Sequence, residues 1–138
     1  HDHGIVHQDL KPENLSYRDK FENSDLVVED FGVSNVSVRD DLLTTLCDSP
    51  MYTTPEIVRR TGHNKPADLW SIGVIAYCGF AHLCDVILRG RYWFDPPYWD
   101  NISPEAKELV RSLMEIRPEK RLTARKAMLD PWHLRFSP

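Results

Sequence analysis

The spacing of apolar positions in this chain changes from short runs near its start to helical stripes in its second half. Leu15 begins a short apolar run, the stretch Arg18–Asp25 is polar, and Leu26–Val28 form a second apolar run. Two brief apolar runs around a polar loop predict a pair of β-strands. The segment Val33–Pro55 has no sustained period, which predicts a long irregular segment of the kind that is often functional or mobile.

Helical spacing dominates the second half of the chain. The stretch Ala67–Cys78 is apolar on nearly all sides, which predicts a helix buried in the middle of a domain. The stretch Ser103–Glu105 combines an N-cap serine, a proline at the first helical position and an acid in the first turn, so it predicts a helix start. The apolar positions that follow lie on one face: Ala106, Leu109, Val110, Leu113 and Met114.

A last short helix is predicted near the end of the chain. Thr123 is placed to cap it, it continues to about Leu129, and Pro131 stops it. With 138 residues, the chain has the size of one ordinary domain. We therefore expect a single, mainly α domain of the α+β class, with short β-hairpins in the first part and a helical second half.

Composition and charge narrow the class of protein. Hydrophobic residues make up 41% and charged residues 28%, as in folded soluble proteins, and the net charge of -4 gives no general reason to expect nucleic acid or an anionic membrane as partner. Three cysteines without a C-x-x-C pair predict neither a disulfide framework nor a zinc site. The longest apolar run, Ile72–Ala81, is short of the roughly 20 residues that cross a bilayer. We expect a cytoplasmic protein without a leader or membrane span.

Five motifs, taken in order, resemble those of a protein kinase. HQDLKPEN at His7–Asn14 is similar to the catalytic loop, Asp30–Gly32 to the metal-binding loop, and Thr54–Glu56 to the end of the activation segment. Asp68–Val74 resembles the buried helix that anchors the catalytic loop, and Arg121 stands where the family pairs an arginine with the glutamate of the third motif. The resemblance implies a protein kinase fold, ATP and Mg²⁺ as cofactors and a protein substrate or docking protein as partner.

Within this superfamily, the chain is most similar to calcium/calmodulin-dependent serine/threonine kinases. The long insert between Asn14 and Asp30 and the stretch Gly62–Pro66 carry that similarity. It implies transfer of a phosphoryl group from Mg-ATP to a serine or threonine hydroxyl.

The resemblance assigns roles that suit phosphoryl transfer, which needs metal ions, a group that receives the hydroxyl proton and rigid placement of the reactants. Asp9 is expected to accept or orient the hydroxyl, and Lys11 to offset charge on the transferred phosphate. Asn14 and Asp30 are expected to hold Mg²⁺ through oxygen atoms. Structural roles are implied for His7, Phe31, Gly32, Glu56, Asp68 and Arg121, and activation-segment positions for Thr45 and Ser49.

The chain departs from the family pattern in what it lacks. Neither the Gly-rich loop nor the lysine of the family's smaller lobe precedes His1, and about one helix and its loop are missing near residues 78–87. We therefore expect residues 1–138 to form a partial kinase domain, the large lobe alone, with little or no turnover in isolation. A partner that covers the face normally packed against the small lobe is a further expectation.

Four substitutions also depart from the pattern. Gln8 replaces an arginine that pairs with a phosphorylated activation segment in many relatives, which predicts weaker coupling to phosphorylation at Thr45. Asp48 replaces a glycine and Thr54 an alanine. Glu29 adds a carboxylate directly before Asp30. The two added acids, Asp48 and Glu29, could repel the phosphates of a nucleotide or change metal occupancy, and the sequence does not decide between the two.

Three alternatives to an active enzyme remain open at this stage. The first is a non-catalytic kinase-like binding module that docks another protein through an uncovered apolar face. The second is a non-functional gene remnant without a stable fold. The third is a metal-dependent enzyme of unrelated fold, because Asp9, Asn14 and Asp30 suit Mg²⁺, although the other motifs speak against it.

Overall fold

The computed structural model describes residues 1–21, 24–32, 34–36, 52, 54–59, 64–78 and 92–135. Its strands form two small antiparallel sheets. Strand β1 (Ile5–Val6) pairs with β4 (Asn35–Val36), and β2 (Leu15–Tyr17) pairs with β3 (Leu26–Val28). A short 3-10 turn, Pro12–Asn14, leads directly into β2.

The β2–β3 hairpin confirms the predicted pair of strands. Leu15 lies opposite Val28 and Tyr17 opposite Leu26, so the polar stretch between the two apolar runs forms the connection. Leu26 and Tyr17 are nevertheless exposed. The hairpin therefore projects apolar side chains from the body of the domain.

Five helices follow along the described chain: α1 (Pro55–Val58), α2 (Pro66–Cys78), α3 (Pro104–Leu113), α4 (Ala124–Met128) and α5 (Pro131–Leu134). The predicted buried helix is confirmed as α2, in which Trp70 and Val74 are completely buried. The hydrophobic core joins α2 to α3 and to the segment before α3, through Trp70, Val74, Tyr77, Trp99, Val110 and Met114. The mainly helical second half is thus confirmed.

Helices α2 and α3 approach each other closely at Gly73. A Cβ atom at this position would lie 2.7 Å from Met114 Cγ and 2.9 Å from Leu113 Cβ, which is closer than carbon atoms can approach without movement. The absence of a side chain at Gly73 is therefore what permits the apolar stripe of α3 to pack onto α2.

Helix α3 begins as its sequence predicts. Ser103 Oγ accepts a hydrogen bond from the Ala106 amide at 3.2 Å, which satisfies one of the unpaired N–H groups of the first turn. Ala106, Val110 and Leu113 are buried, so the predicted stripe does face the core.

The end of the described chain contains one more helix than the sequence predicted. Thr123 caps α4 by accepting from the Lys126 amide at 3.3 Å, and the helix ends at Met128. Pro131 does not end the helical structure, because it is the first residue of α5. Asp130 caps this helix by accepting a hydrogen bond from the Trp132 amide at 2.9 Å. A proline at the first helical position lacks only an N–H that would have no partner there.

Among the residues that the structure describes, no helix is both long enough and apolar enough to cross a lipid bilayer.

Candidate active site

The buried carboxylate of Asp68 on α2 binds the backbone of the turn that contains Asp9. Its Oδ2 accepts from the His7 amide at 2.8 Å, and its Oδ1 accepts from the Gln8 amide at 2.9 Å. His1 Nε2 also lies 2.9 Å from Oδ2. Burial raises the pKa of Asp68, while the hydrogen bonds from the two backbone amides act in the opposite direction. These bonds hold the turn at Gln8, whose φ of 73° is in the left-handed region.

The side chain of His7 links this turn to the segment around Asp30. Its Nε2 lies 3.0 Å from the Glu29 carbonyl oxygen, and its Nδ1 lies 3.3 Å from the Asp9 amide nitrogen. The Asp9 amide donates and the Glu29 carbonyl accepts, so the ring joins the two backbone segments through its two nitrogen atoms. The ring also meets Phe31 edge to face, with centroids 4.8 Å apart.

Asp9, Lys11 and Asn14 form one hydrogen-bonded group. Lys11 Nζ lies 2.7 Å from Asp9 Oδ2, and Asn14 Nδ2 donates to the Asp9 carbonyl at 2.8 Å. Asn14 is buried, whereas the side chains of Asp9 and Lys11 keep 12% and 23% of their surface exposed. An incoming substrate can therefore reach both charged groups while their geometry is held by the turn.

Asp30 is brought beside this group by the end of the β2–β3 hairpin. The Glu29 amide donates to the Asn14 carbonyl at 2.9 Å, so the residues that follow β3 lie next to those that precede β2. Asp30 has a φ of 55°, and its Oδ1 accepts from the Gly32 amide at 3.1 Å. A Cβ atom at Gly32 would lie 3.0 Å from that same oxygen, so glycine leaves room for the aspartate.

The oxygen atoms at this site suit a hard divalent cation. Since the amide nitrogen of Asn14 is bonded to Asp9, a cation would meet its Oδ1, and Asp30 would supply a carboxylate. No group of three or more His, Cys, Asp or Glu side chains that could hold a metal occurs in the described part of the chain. Asn14 and Asp30 offer an amide oxygen and a carboxylate, which are ligand types that Mg²⁺ accepts together with water and phosphate.

Glu56 and Arg121 meet in a buried pair, as the sequence predicted. Arg121 NH1 lies 2.6 Å from Glu56 Oε1 and NH2 lies 3.0 Å from Oε2, which is a two-pronged contact between the guanidinium and the carboxylate. The guanidinium also lies 4.9 Å from the centroid of the Trp70 ring. Arg121 donates further hydrogen bonds to the backbone carbonyls of Pro66, Glu115 and Ile116. The pair thereby fastens α1 to α2 and to the turn after α3.

Sequence reasoning missed two side chains that support the site. His1 contacts Asp68, a role that none of the motifs in the sequence indicated. Ser71 Oγ donates to the Tyr52 carbonyl at 3.1 Å, and so holds the segment before α1 against α2. The position of Ser71, three residues after Asp68 on one helix, is a signal that could have identified it, because such residues share a face.

Some of the predicted site residues cannot be placed. Thr45, Ser49 and Asp48, as well as the proposed deletion after Cys78, lie outside the described residues. The remaining substitution in that region is described: Thr54 is buried and caps α1, accepting from the Ile57 amide at 3.3 Å.

In this site, a turn presents an aspartate, a lysine and an asparagine beside an Asp-Phe-Gly segment, and a buried helix anchors the turn. This arrangement defines the class of protein kinases. The sequence model described as "Protein kinase domain" matches residues 1–133, and the chain belongs to this family. The predicted family is thus confirmed.

The curated relatives of the chain include several calcium/calmodulin-dependent protein kinases. The chain is 44% identical over 145 residues to calcium/calmodulin-dependent protein kinase type I of Schizosaccharomyces pombe. That alignment covers 96% of this chain and 43% of the relative. It is 42% identical over 143 residues to type 1B of Homo sapiens, covering 96% and 41%, and 41% identical over 146 residues to cmkB of Emericella nidulans, covering 96% and 36%. The predicted similarity to this subfamily is confirmed, and the chain spans about two fifths of the length of these relatives.

Proposed function

We propose that this chain belongs to an ATP-dependent serine/threonine protein kinase, which transfers a phosphoryl group from Mg-ATP to a protein hydroxyl. One observation carries the proposal: Asp9, Lys11 and Asn14 are hydrogen-bonded to one another, and the hairpin brings Asp30 beside them. The similarity to calcium/calmodulin-dependent kinases supports the choice of serine or threonine as acceptor.

Each charged side chain of the group has a part in the transfer. Asp9 accepts the proton of the substrate hydroxyl or orients that hydroxyl toward the phosphate. Lys11, whose ammonium lies 2.7 Å from Asp9, offsets negative charge on the phosphate as it moves. Asn14 and Asp30 hold Mg²⁺, which neutralises the phosphate oxygens when Mg-ATP is bound.

Six further residues keep this group in position. His7 joins the Asp9 amide to the Glu29 carbonyl, Phe31 packs on the His7 ring, and Asp68 holds the backbone of the turn. Gly32, Glu56 and Arg121 complete this set. Thr45 and Ser49 belong to the activation segment in this proposal, and Gln8 makes the site less dependent on phosphorylation there.

We place the protein in the cytoplasm, with a protein substrate and with neither nucleic acid nor a membrane as partner. We further propose that residues 1–138 correspond to the large lobe, with one helix and its loop shortened near residues 78–87. The Gly-rich loop that covers the phosphates in kinases is not among these residues. If half of the binding free energy of ATP comes from this lobe, the dissociation constant rises from about 1 μM to about 1 mM. The turnover of these residues alone is then very low.

The test measures transfer of labelled phosphate from Mg-ATP to a serine- and threonine-containing peptide library. Asp9→Asn removes the proton acceptor but keeps the size of the side chain, so we expect the low rate of the wild type to fall to background. Asp25→Asn is the matched control, because Asp25 is an exposed aspartate at the far end of the hairpin. A chelator should abolish transfer by the wild type. Transfer that persists in Asp9→Asn, or a wild type that neither transfers phosphate nor binds Mg-ATP, contradicts the enzymatic proposal.

A non-catalytic binding module is the second candidate, because exposed apolar side chains are frequent in the first part of the chain. They are Ile5, Tyr17, Phe21, Leu26, Val28 and Phe31, of which Phe21 is 80% exposed. Such residues favour a protein partner that covers this face. Strong binding of an apolar dye that falls when Leu26 and Val28 are both changed to threonine supports the module. A monodisperse monomer without dye binding argues against it.

A further inference from the structure

A small cavity lies between the turn that contains Asp9 and the start of α1. Its volume is about 10 Å³, and the polar residues Gln8, Asp9, Thr54 and Ser71 are among those that line it. A volume of about 10–15 Å³ is the smallest that holds a water molecule. The cavity therefore has the size of a single water site and is too small for a larger ligand.

The side chain of Gln8, which lines this cavity, has a donor without an acceptor. Its Nε2 atom is buried and has no hydrogen-bond partner among the described residues. A buried N–H group without an acceptor is unfavourable, and buried water molecules in proteins typically bind to such groups. A water molecule in the cavity would supply the acceptor that the Gln8 amide needs.

Two hydroxyl groups that line the cavity offer further partners for a water molecule. Ser71 Oγ donates its proton to backbone carbonyls, including that of Tyr52 at 3.1 Å, so the oxygen can still accept. Thr54 Oγ1 accepts from the Ile57 amide at 3.3 Å, which uses one of its two lone pairs. A water that accepts from Gln8 and donates to Thr54 and Ser71 would make three hydrogen bonds, the number typical of buried water.

We propose that one buried water molecule joins Gln8 to Thr54 and Ser71, and that Gln8 and Thr54 are positioning residues for the turn. Gln8 directly precedes Asp9, and its backbone amide is bound to Asp68. The water would fix the side chain of the same residue, so the turn is held at two points. Gln8 and Thr54 both depart from the kinase pattern, and the structure places them at one cavity. The consequence for Asp9 as proton acceptor rests on the proposed function.

The water molecule can be detected directly, because Gln8 is the only glutamine of the chain. Isotopic labelling of glutamine in the full 138-residue chain gives a single pair of side-chain amide resonances. We expect a rotating-frame Overhauser cross-peak from this pair to water, with the sign that proton exchange cannot produce. A crystal structure should show one water oxygen about 2.7–3.2 Å from Gln8 Nε2. A dry cavity, or a Gln8 side chain that points into solvent, overturns the proposal.

The stability of Gln8→Met tests the same water by its sign. Methionine has a similar length but no N–H group, so the variant loses a hydrogen bond if the water is present. The equilibrium constant for folding, measured by urea denaturation, should then fall by about twofold to tenfold. An amide without any partner would instead be replaced at a gain. An unchanged or larger folding constant in Gln8→Met therefore contradicts the bridge.

The positioning role is measured by the backbone amide resonance of Asp9. Thr54→Val keeps the shape of the side chain but removes its hydroxyl, so this variant and Gln8→Met should both shift the resonance. Thr54→Ser keeps the hydroxyl and should leave the resonance at its wild-type position. Thr123→Val is the matched control, because Thr123 caps α4 with a bond of the same 3.3 Å length but does not line the cavity. Equal shifts in Thr123→Val and Thr54→Val overturn the positioning role.

None of these measurements requires turnover, so the bridge and the proposed function can fail separately. A bound water and a shifted Asp9 resonance, in a chain that transfers no phosphate from Mg-ATP, support the bridge and contradict only the proposed function. Phosphate transfer by a chain whose cavity is dry supports the proposed function and contradicts the bridge.

Discussion

Arg121 is 4% exposed and Leu26 is 57% exposed, so this chain buries an arginine in its helical body and leaves a leucine of its hairpin in solvent. The body contains further buried charges, at Glu56 and Asp68, and each has hydrogen-bond partners. The hairpin has apolar residues on its surface, at Tyr17, Leu26 and Val28. The body thus buries charged groups beside an apolar core, whereas the hairpin leaves apolar side chains in solvent.

The body shows why a charge can be buried. A two-pronged contact, three backbone carbonyls and an aromatic face surround the Arg121 guanidinium, so little of its lost hydration is left uncompensated. The exposed apolar residues of the hairpin have no comparable compensation among the described residues. The buried charges of the body should therefore determine its stability. The exposed apolar residues of the hairpin should determine association with a partner.

The largest effect should follow from breaking the buried pair. Arg121→Met leaves the Glu56 carboxylate buried without its partner, which should lower the free energy of unfolding by about 3–5 kcal/mol. Urea denaturation followed by circular dichroism measures the change. Arg117→Met is the matched control, because Arg117 contacts Glu115 on the surface, where water screens the pair, and it should cost far less. Equal costs in both variants would show that burial of Arg121 is unimportant.

Asp68→Asn should have the next largest effect. An asparagine has one side-chain oxygen, so it cannot accept from both the His7 and Gln8 amides, and an unpaired buried amide costs about 1–3 kcal/mol. Asp130→Asn is a suitable control, because the cap of α5 keeps its single acceptor. A variant as stable as the wild type would contradict the anchoring role of Asp68.

The pH dependence of the Asp68 variant follows from the direction of its pKa. The pKa is raised in the folded state, so between the unfolded value of 3.8 and the folded value the folded protein binds more protons. This contribution to wild-type stability therefore decreases as the pH rises through that window, and the variant lacks it. The cost of Asp68→Asn should be greater near pH 4 than near about pH 8. Denaturation curves of both proteins across this range test the sign.

Gly73→Ala should produce a smaller loss. The added methyl group meets Met114 and Leu113, and such overpacking costs about 1–3 kcal/mol. Alanine regains about 1 kcal/mol of helix propensity, which leaves a net loss of about 1 kcal/mol. Ile72→Ala, at a neighbouring and half-exposed position, controls for changes in the helix itself. A net gain in thermal stability would mean that α2 and α3 are less close than described.

The smallest effect on stability is expected at the hairpin. Leu26→Thr replaces an exposed apolar side chain by one that also favours strands, so the free energy of unfolding should change by less than about 0.5 kcal/mol. Its effect should instead appear as weaker self-association or weaker dye binding, measured by light scattering and fluorescence. A loss of more than about 2 kcal/mol would place Leu26 in the core and remove the contrast between the two regions.

Sequence reasoning was most successful where local chemistry determines the structure. Ser103 and Thr123 cap helices because the hydroxyl of an extended residue directly before a helix can accept from an amide in the first turn. The motif residues around Asp9 were recognisable because their order and spacing are shared with a family. The helix that begins at Pro131 was missed, since a proline ends one helix and starts another by the same property.

The contacts that could not be predicted join residues distant in sequence. The bond between Ser16 and Glu29 depends on the register of the hairpin, and the bond between His1 and Asp68 joins residues 67 positions apart. Neither residue type nor spacing indicates such pairs in a single sequence. They arise from how the strands and α2 pack, which follows from the whole set of buried residues.

The imidazole of His7 connects the two backbone segments that carry the candidate site. One ring nitrogen is bound to the backbone of the segment that carries Asp9, the other to the backbone that precedes Asp30, and the ring edge rests on Phe31. A change in the orientation of the Phe31 ring would therefore rotate the His7 imidazole and displace both backbone segments that the imidazole binds. Asp9, the proposed proton acceptor, and Asp30, proposed to hold Mg²⁺, would then lose their alignment together. A partner that contacts the exposed Phe31 would therefore affect both.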